Sequence, residues 1–164
     1  MNSLDNLNAR IRDRLTLEWL TPSEKAIWEL IQRYDGPPHW VINIYGTEGT
    51  GKTFLGWCME RQGYATYGLW GTPPQPMHPR LALDDASTER SEAREVRPWI
   101  ERLGIKQIIL LTRFRVDEQA MPAFELRVTD EDLAVCRANL YRHLRLVVPE
   151  EAQRNYKALL NTIG

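Results

Sequence analysis

The chain has 164 residues, 43% hydrophobic and 26% charged, which suits one folded domain and excludes a disordered or collagenous chain. Acids and bases nearly cancel, to a net charge of −1, so no global field marks a nucleic-acid or membrane binder, though a local basic face is compatible with this balance. Two cysteines without metal or disulfide spacing, Cys58 and Cys136, a polar start (MNSLDNLNARIRDR) and no apolar run of membrane length together predict a reducing, cytoplasmic setting without membrane contact.

Apolar residues recur at Leu4, Leu7, Ile11, Leu15 and Leu17, predicting an amphipathic helix between Leu4 and Leu20. Thr21-Pro22-Ser23-Glu24 then offers a cap with proline at the first helical position, and Ile27, Leu30, Ile31 and Tyr34 form one face of a helix over Lys25 to Tyr34. Asp35-Gly36-Pro37-Pro38 ends it. Trp40 to Tyr45 reads as a short buried strand, Thr53 to Gln62 as a helix closed by Gly63, and Tyr64 to Trp70 as a second strand. Four prolines between Gly71 and Pro79 predict an irregular connection. Arg80 to Asp84 is expected as a third strand, Ser87 to Leu103 as a polar helix kinked at Pro98, and Lys106 to Thr112 as a fourth strand. Its run Ile108-Ile109-Leu110-Leu111 suits a strand covered on both faces. Ala123 to Val128 is a candidate fifth strand, and Asp130 to His143 and Pro149 to Leu160 are candidate helices. In His143 a cation would complement the helix dipole.

Between the first strand and its helix lies Gly46-Thr47-Glu48-Gly49-Thr50-Gly51-Lys52-Thr53, which matches G-x-x-x-x-G-K-[ST] without departure. The chemistry explains each requirement. Glycines let backbone N–H groups curl around phosphate oxygens, and the helix start adds its positive dipole end. Lys52 reaches the β and γ phosphates, and Thr53 supplies a hydroxyl to Mg²⁺. Leu81-Ala82-Leu83-Asp84-Asp85 is an apolar strand ending in two acids; beside such a loop Asp84 can orient Mg²⁺ or its water, and Asp85 can polarise an attacking water. Thr112, at the tip of the fourth strand, is a candidate sensor of the γ-phosphate or holder of the water. Arg113 and Arg115 are candidates for stabilising transition-state charge, in their own subunit or a neighbour's.

In this order the parts resemble the AAA+ family of ATPases: a helix before the first strand, GTEGTGKT, the acid pair in LALDD, a polar sensor in IILLT, and FELRVTDEDL opening a helix. The resemblance covers about residues 22 to 145. It looks most like replication initiators and helicase loaders, or small viral replication helicases. The loop is specific to the P-loop class and the other motifs only weakly to this family. About twenty residues follow His143, fewer than a full helical lid with its own sensor arginine, and the segment from Thr112 to Ala123 is too brief for the usual arginine-finger helix.

The expected architecture is a three-layer α/β P-loop fold with a mainly parallel sheet. Residues 1–36 form an N-terminal helical segment, 37–129 the P-loop core and 130–164 a short lid-like helical segment. The expected function is binding of ATP with Mg²⁺, with slow hydrolysis, as a switch or motor subunit working with a homo- or hetero-oligomeric protein partner and possible nucleic acid. The alternatives are a small-molecule kinase, disfavoured because the second strand ends in Leu69-Trp70-Gly71 without an acid, and a nucleotide-binding module that does not hydrolyse. No [NT]-K-x-D motif for reading guanine occurs.

Overall fold

The structure, a computed structural model, describes residues 3–35, 39–70, 78–86, 101–116, 121–149 and 154–163. Its centre is a sheet of five strands: β1 (Val41–Tyr45), β2 (Thr66–Leu69), β3 (Arg80–Ala86), β4 (Gln107–Thr112) and β5 (Ala123–Glu125). They lie in the order β2-β3-β4-β1-β5, and every pairing is parallel. The helices are α1 (Ser3–Arg14), α2 (Pro22–Ile31), α3 (Lys52–Arg61), α4 (Asp130–Leu144) and α5 (Tyr156–Asn161). Most of the expected helix from Ser87 to Leu103, with Pro98, lies outside the described residues, as do residues 71–77 of the proline-rich connection.

Side-chain alternation explains the layering. In β4 every residue is buried, with Ile108 and Leu110 turned to one face and Ile109 and Leu111 to the other. One face meets Leu81, Leu83, Ile105 and Val116. The opposite face, with Ile42, Ile44 and Ala82, joins a larger core to which all five helices contribute: Leu7 and Ile11 from α1, Ile27 and Ile31 from α2, Leu55 from α3, Leu133 and Leu140 from α4, and Leu159 from α5. Burial of each such side chain contributes about 1.5–3 kcal/mol relative to exposure.

Three elements differ from the sequence reading. The leading helix stops at Arg14; Thr16 is extended (φ −138°, ψ 174°) and a 3₁₀ turn follows over Leu17–Trp19. With the chain broken there, Leu15, Trp19 and Leu20 are all buried. The last helix begins only at Tyr156, where Asn155 caps it by accepting from the Ala158 N–H at 2.8 Å. The candidate strand from Ala123 to Val128 ends at Glu125, and His143, in the last turn of α4 as expected, stacks on Trp19 with ring centroids 4.5 Å apart, its Nε2 buried without a partner.

Two polar arrangements fix the frame around the loop. Asn43 is fully buried in β1; its Nδ2 donates to Leu110 O and to Thr112 Oγ1, and its Oδ1 accepts from the Val116 N–H. One side chain thereby ties β1 to β4 and to the chain beyond it. At α4, Thr129 and Asp132 close a capping box, and Asp132 also accepts from the Ser23 N–H (2.9 Å) and hydroxyl (2.6 Å) at the start of α2. Burial opposes the charge on Asp132, yet these hydrogen bonds from Ser23 and Thr129 hold its carboxyl below the ordinary range.

Candidate functional site

Strand β1 delivers the chain to Gly46, whose N–H donates to Thr112 O at 3.1 Å, and α3 begins at Lys52. Between them the backbone must turn sharply. Gly49 (φ 80°) and Gly51 (φ 96°) take left-handed conformations that a side chain would strain. A Cβ on Gly46 would lie 2.5 Å from Leu126 O, so this glycine answers to space. The loop thus presents the backbone of residues 46–51 at the N-terminus of a helix, the arrangement that favours an anion.

Lys52 folds back on the loop: its Nζ donates to Gly46 O (2.5 Å), Thr47 O (3.0 Å) and Thr50 Oγ1 (3.4 Å). Burial, with the Arg113 charge adding to it, holds the ammonium below its ordinary value. A phosphate at this point would meet an ammonium already gathered at the loop.

The next residue reaches across to β3. Thr53 Oγ1 donates to Asp84 Oδ2 at 2.5 Å, so the two expected magnesium-site groups lie side by side. Asp84 is 4% exposed and accepts two further hydrogen bonds, from the Tyr67 hydroxyl to Oδ2 (2.6 Å) and from the Asp85 N–H to Oδ1 (2.9 Å). A hydroxyl and a carboxylate are the oxygen donors that Mg²⁺ takes alongside water and phosphate. Among the described residues no three His, Cys, Asp or Glu side chains form a metal cluster.

Asp85 has a left-handed backbone, φ 56°, where the pairing of β3 with β4 slips between Leu83 and Ala86. Such a conformation costs a non-glycine residue roughly 1–2 kcal/mol, and strain of this kind concentrates at working sites. Burial, and then the neighbouring Asp84, raise its carboxyl above the usual range, while Lys52 pulls the other way.

Thr112 is buried at the end of β4; its hydroxyl accepts from Asn43 and donates to Phe114 O at 2.7 Å. Arg113 lies 3.6 Å from Glu48 at the loop's tip. Lys157 of α5 pairs with the same carboxylate at 2.5 Å. That hydrogen bond first, and then the charges of Lys157 and Arg113, lower the Glu48 pKa. Arg115 is exposed, as is Phe114 between the two arginines.

Four residues near the loop, Tyr67, Tyr156, Thr21 and Glu24, were not singled out as site residues by sequence. Tyr67 on β2 touches Asp84, and burial first, then that carboxylate, push its phenol far above the ordinary value, so it stays a donor. Tyr156 on α5 donates from its main chain to Gly49 O (2.9 Å) and from its hydroxyl to Thr21 Oγ1 (2.8 Å). Thr21 in turn donates to Glu24 Oε1 at 2.8 Å. A cavity of about 410 Å³ is lined by Gly49–Thr53, Asp84 and Asp85, and also by Glu24 and the apolar Leu4, Ile11, Trp19 and Leu140. Cys58 and Cys136 are free thiols whose pKa burial raises, in Cys136 to about 12.

No family model and no curated protein matches the chain in sequence. In structure it is similar to replication initiator DnaA bound to AMPPCP and single-stranded DNA (TM-score 0.59, 16% identity, covering 88% of this chain and 61% of that one). It is likewise similar to AMPPCP-bound DnaA from Aquifex aeolicus (TM-score 0.57, 17% identity, 85% and 60%). A third match is a DNA replication initiation factor (TM-score 0.60, 16% identity, 88% and 60%). This chain therefore spans about three fifths of the length of the chains it matches. At these identities the likeness is one of fold: the chain shares its parallel α/β fold with these DnaA structures.

Proposed function

We propose that the chain binds Mg·ATP at residues 46–53 and hydrolyses it slowly, as a switch or motor subunit of a nucleic-acid or protein assembly. The observation that carries this reading is the 2.5 Å contact between Thr53 Oγ1 and Asp84 Oδ2, which joins the phosphate loop to the acid strand. The loop N–H groups and Lys52 bind the phosphate oxygens; Thr53 and Asp84 hold the cation; Asp85 polarises the water. Mg²⁺ held by Thr53 and Asp84 would supply positive charge to offset that of the phosphates. Residues 130–164 serve as a short lid, in keeping with the contact of Tyr156 on Gly49. Arg113 and Arg115 stabilise transition-state charge once an assembly orders them, and with Phe114 they offer a basic and aromatic surface for single-stranded nucleic acid.

A second reading, nucleotide binding without turnover, draws on Thr112: its hydroxyl donates to Phe114 O and would have to exchange that partner before holding a water. One experiment separates the two. Release of phosphate from ATP, measured with and without Mg²⁺ and single-stranded DNA or RNA, should be magnesium-dependent and rise with the nucleic acid. Tight ATP binding with no phosphate release under any of these conditions favours the second reading; no ATP binding removes both.

A further inference from the structure

The sequence Thr21-Pro22-Ser23-Glu24 has the spacing of a capping box, in which the threonine hydroxyl accepts from the third helical N–H and the acid reaches back to the cap. At α4 the equivalent Thr129 and Asp132 do this. At α2 they do not: Thr21 makes no side-chain cap, and its hydroxyl is turned to the carboxyl of Glu24. The residues of a helix cap have been diverted from the helix.

Their new direction is the cavity. Glu24 is 2% exposed, lines the same cavity as Gly49–Thr53, and lies close behind the loop, its Cδ 3.3 Å from where a Cβ on Gly51 would stand. Its Oε2 is buried without a hydrogen-bond partner, a condition that costs stability unless a ligand supplies one. Its Oε1 is held in a directional chain: the Tyr156 hydroxyl donates to Thr21, and Thr21 donates to Oε1. Oε1 is thus fixed as an acceptor, and Oε2 is the carboxyl oxygen without a partner.

We propose that Glu24 reads the base of the bound nucleotide and selects adenine, Oε2 donating a proton to a ring nitrogen while Oε1 accepts from the 6-amino group. The inference rests on the nucleotide-binding reading above. It requires a neutral carboxyl: burial pushes Glu24 up to about 8 against the opposing hydrogen bonds of Thr21 and Tyr156, and Asp132, the charge of α4 that acts on it, is another acid. The other titratable groups facing it are Tyr156 of α5, Cys58 of α3 and Cys136 of α4. A neutral carboxyl offers one donor beside one acceptor, the complement of adenine's ring-nitrogen and amino edge. Guanine in the same pose sets its O6 against Oε1 and its N1–H against the Oε2 proton, so both contacts become repulsive. Apolar residues lining the same cavity, among them Leu4, Ile11 and Leu140, receive the faces of the ring.

The test is the affinity of ATP, GTP and purine riboside triphosphate, which lacks the 6-amino group, for the wild type, Glu24→Gln and Glu24→Leu. Wild type should prefer ATP over both others by about tenfold or more, the usual penalty for leaving a buried polar group unpaired. Glutamine also presents a donor and an acceptor and should keep that preference; leucine should bring all three affinities together, lowering that for ATP and raising that for GTP, whose repulsive contacts it removes. Equal affinities in the wild type, a preference surviving in Glu24→Leu, or its loss in Glu24→Gln would overturn the proposal while leaving nucleotide binding standing. A wild type that binds none of the three overturns the nucleotide reading itself.

Discussion

Tyr67 donates a 2.6 Å hydrogen bond to Asp84 from the neighbouring strand, so the acid of the candidate cation site is aimed by a phenol as well as by Thr53. The ring is seated closely: a Cβ on Gly56 of α3 would lie 2.6 Å from it. Tyr67→Phe keeps the ring and removes the donor. We expect it to retain ATP affinity without Mg²⁺ and to raise the Mg²⁺ concentration needed for half-maximal turnover several-fold, at about 1 kcal/mol of stability. An unchanged Mg²⁺ titration would show that the phenol does not position Asp84.

Lys52→Ala should lose ATP binding and keep the fold. All three contacts of its ammonium are to the loop itself, so removing it opens no cavity in the core. Loss of two charge-assisted contacts to phosphate corresponds to about a hundredfold in affinity. Calorimetric titration with ATP checks this, alongside a thermal melt; equal affinity in mutant and wild type removes the phosphate site from residues 46–53.

Asp85 combines a chemical expectation with a conformational one. Asp85→Asn should bind Mg·ATP and lose most turnover, while Asp84→Asn weakens the magnesium-dependent part of binding. Asp85→Gly should lose turnover as well but gain or hold stability, because glycine relieves the left-handed strain at φ 56°. Denaturant melts and phosphate-release assays on the same preparations separate the two effects. Wild-type turnover in both Asp85 variants would exclude it as the residue that activates water.

How much of this was legible in the sequence follows from how local each feature is. The loop is eight consecutive residues whose conformation is set by their own glycines, and the strand-loop-helix around it follows from adjacent patterns. The parallel order was readable because apolar strands alternate with helical segments. Tyr67 was not, because its contact depends on the register of β2 on β3, in which Leu69 pairs with Asp84. Nor was the backbone of Asp85, which a slip in pairing with β4 creates. Thr21 and Glu24 read as an ordinary cap; Tyr156, far along the chain, redirects them. The place of His143 in the last turn of its helix was readable; its stacking on Trp19 was not, because it depends on the turn after α1.

Glu24 and Asp132 should give the fold opposite responses to pH. Burial raises Glu24 from 4.5 to about 8, so between those values the folded chain keeps a proton that the unfolded chain releases. Its contribution is complete below about pH 4.5, falls as pH rises toward 8, and is then constant. Asp132 is held low by Ser23 and Thr129, so its contribution is present above its unfolded pKa and lost as pH falls through the folded one. Urea melts of Glu24→Gln and wild type at pH 5 and 8.5 should diverge at the higher pH, the variant being the more stable there by on the order of a few kcal/mol. A constant difference between the two proteins across this range would mean that Glu24 is ionised in the fold.

The last expectation concerns how the site is completed. On the proposed reading the chain carries the binding half of an ATPase: the loop, Lys52, Thr53 and the acid pair. Of the two arginines after β4, Arg113 is drawn to Glu48 of its own loop by an exposed ion pair, a contact worth little in water and easily exchanged. Glu48 is also neutralised by Lys157, so releasing Arg113 does not leave that carboxylate alone. An arginine supplied to the γ-phosphate is worth about 10³ to 10⁵ in rate, whereas affinity depends mainly on the loop. Turnover by the isolated chain should therefore be slow and should rise with protein concentration or a partner, while ATP affinity stays constant. If the arginine acts between subunits, a variant lacking Arg113 and Arg115, mixed with Lys52→Ala, should regain part of the activity that neither has alone, because one interface then holds an intact loop facing intact arginines. If Arg113 acts within its own chain, mixing restores nothing and Arg113→Ala alone lowers the rate at every dilution. Fast, concentration-independent turnover that survives loss of both arginines would exclude either role.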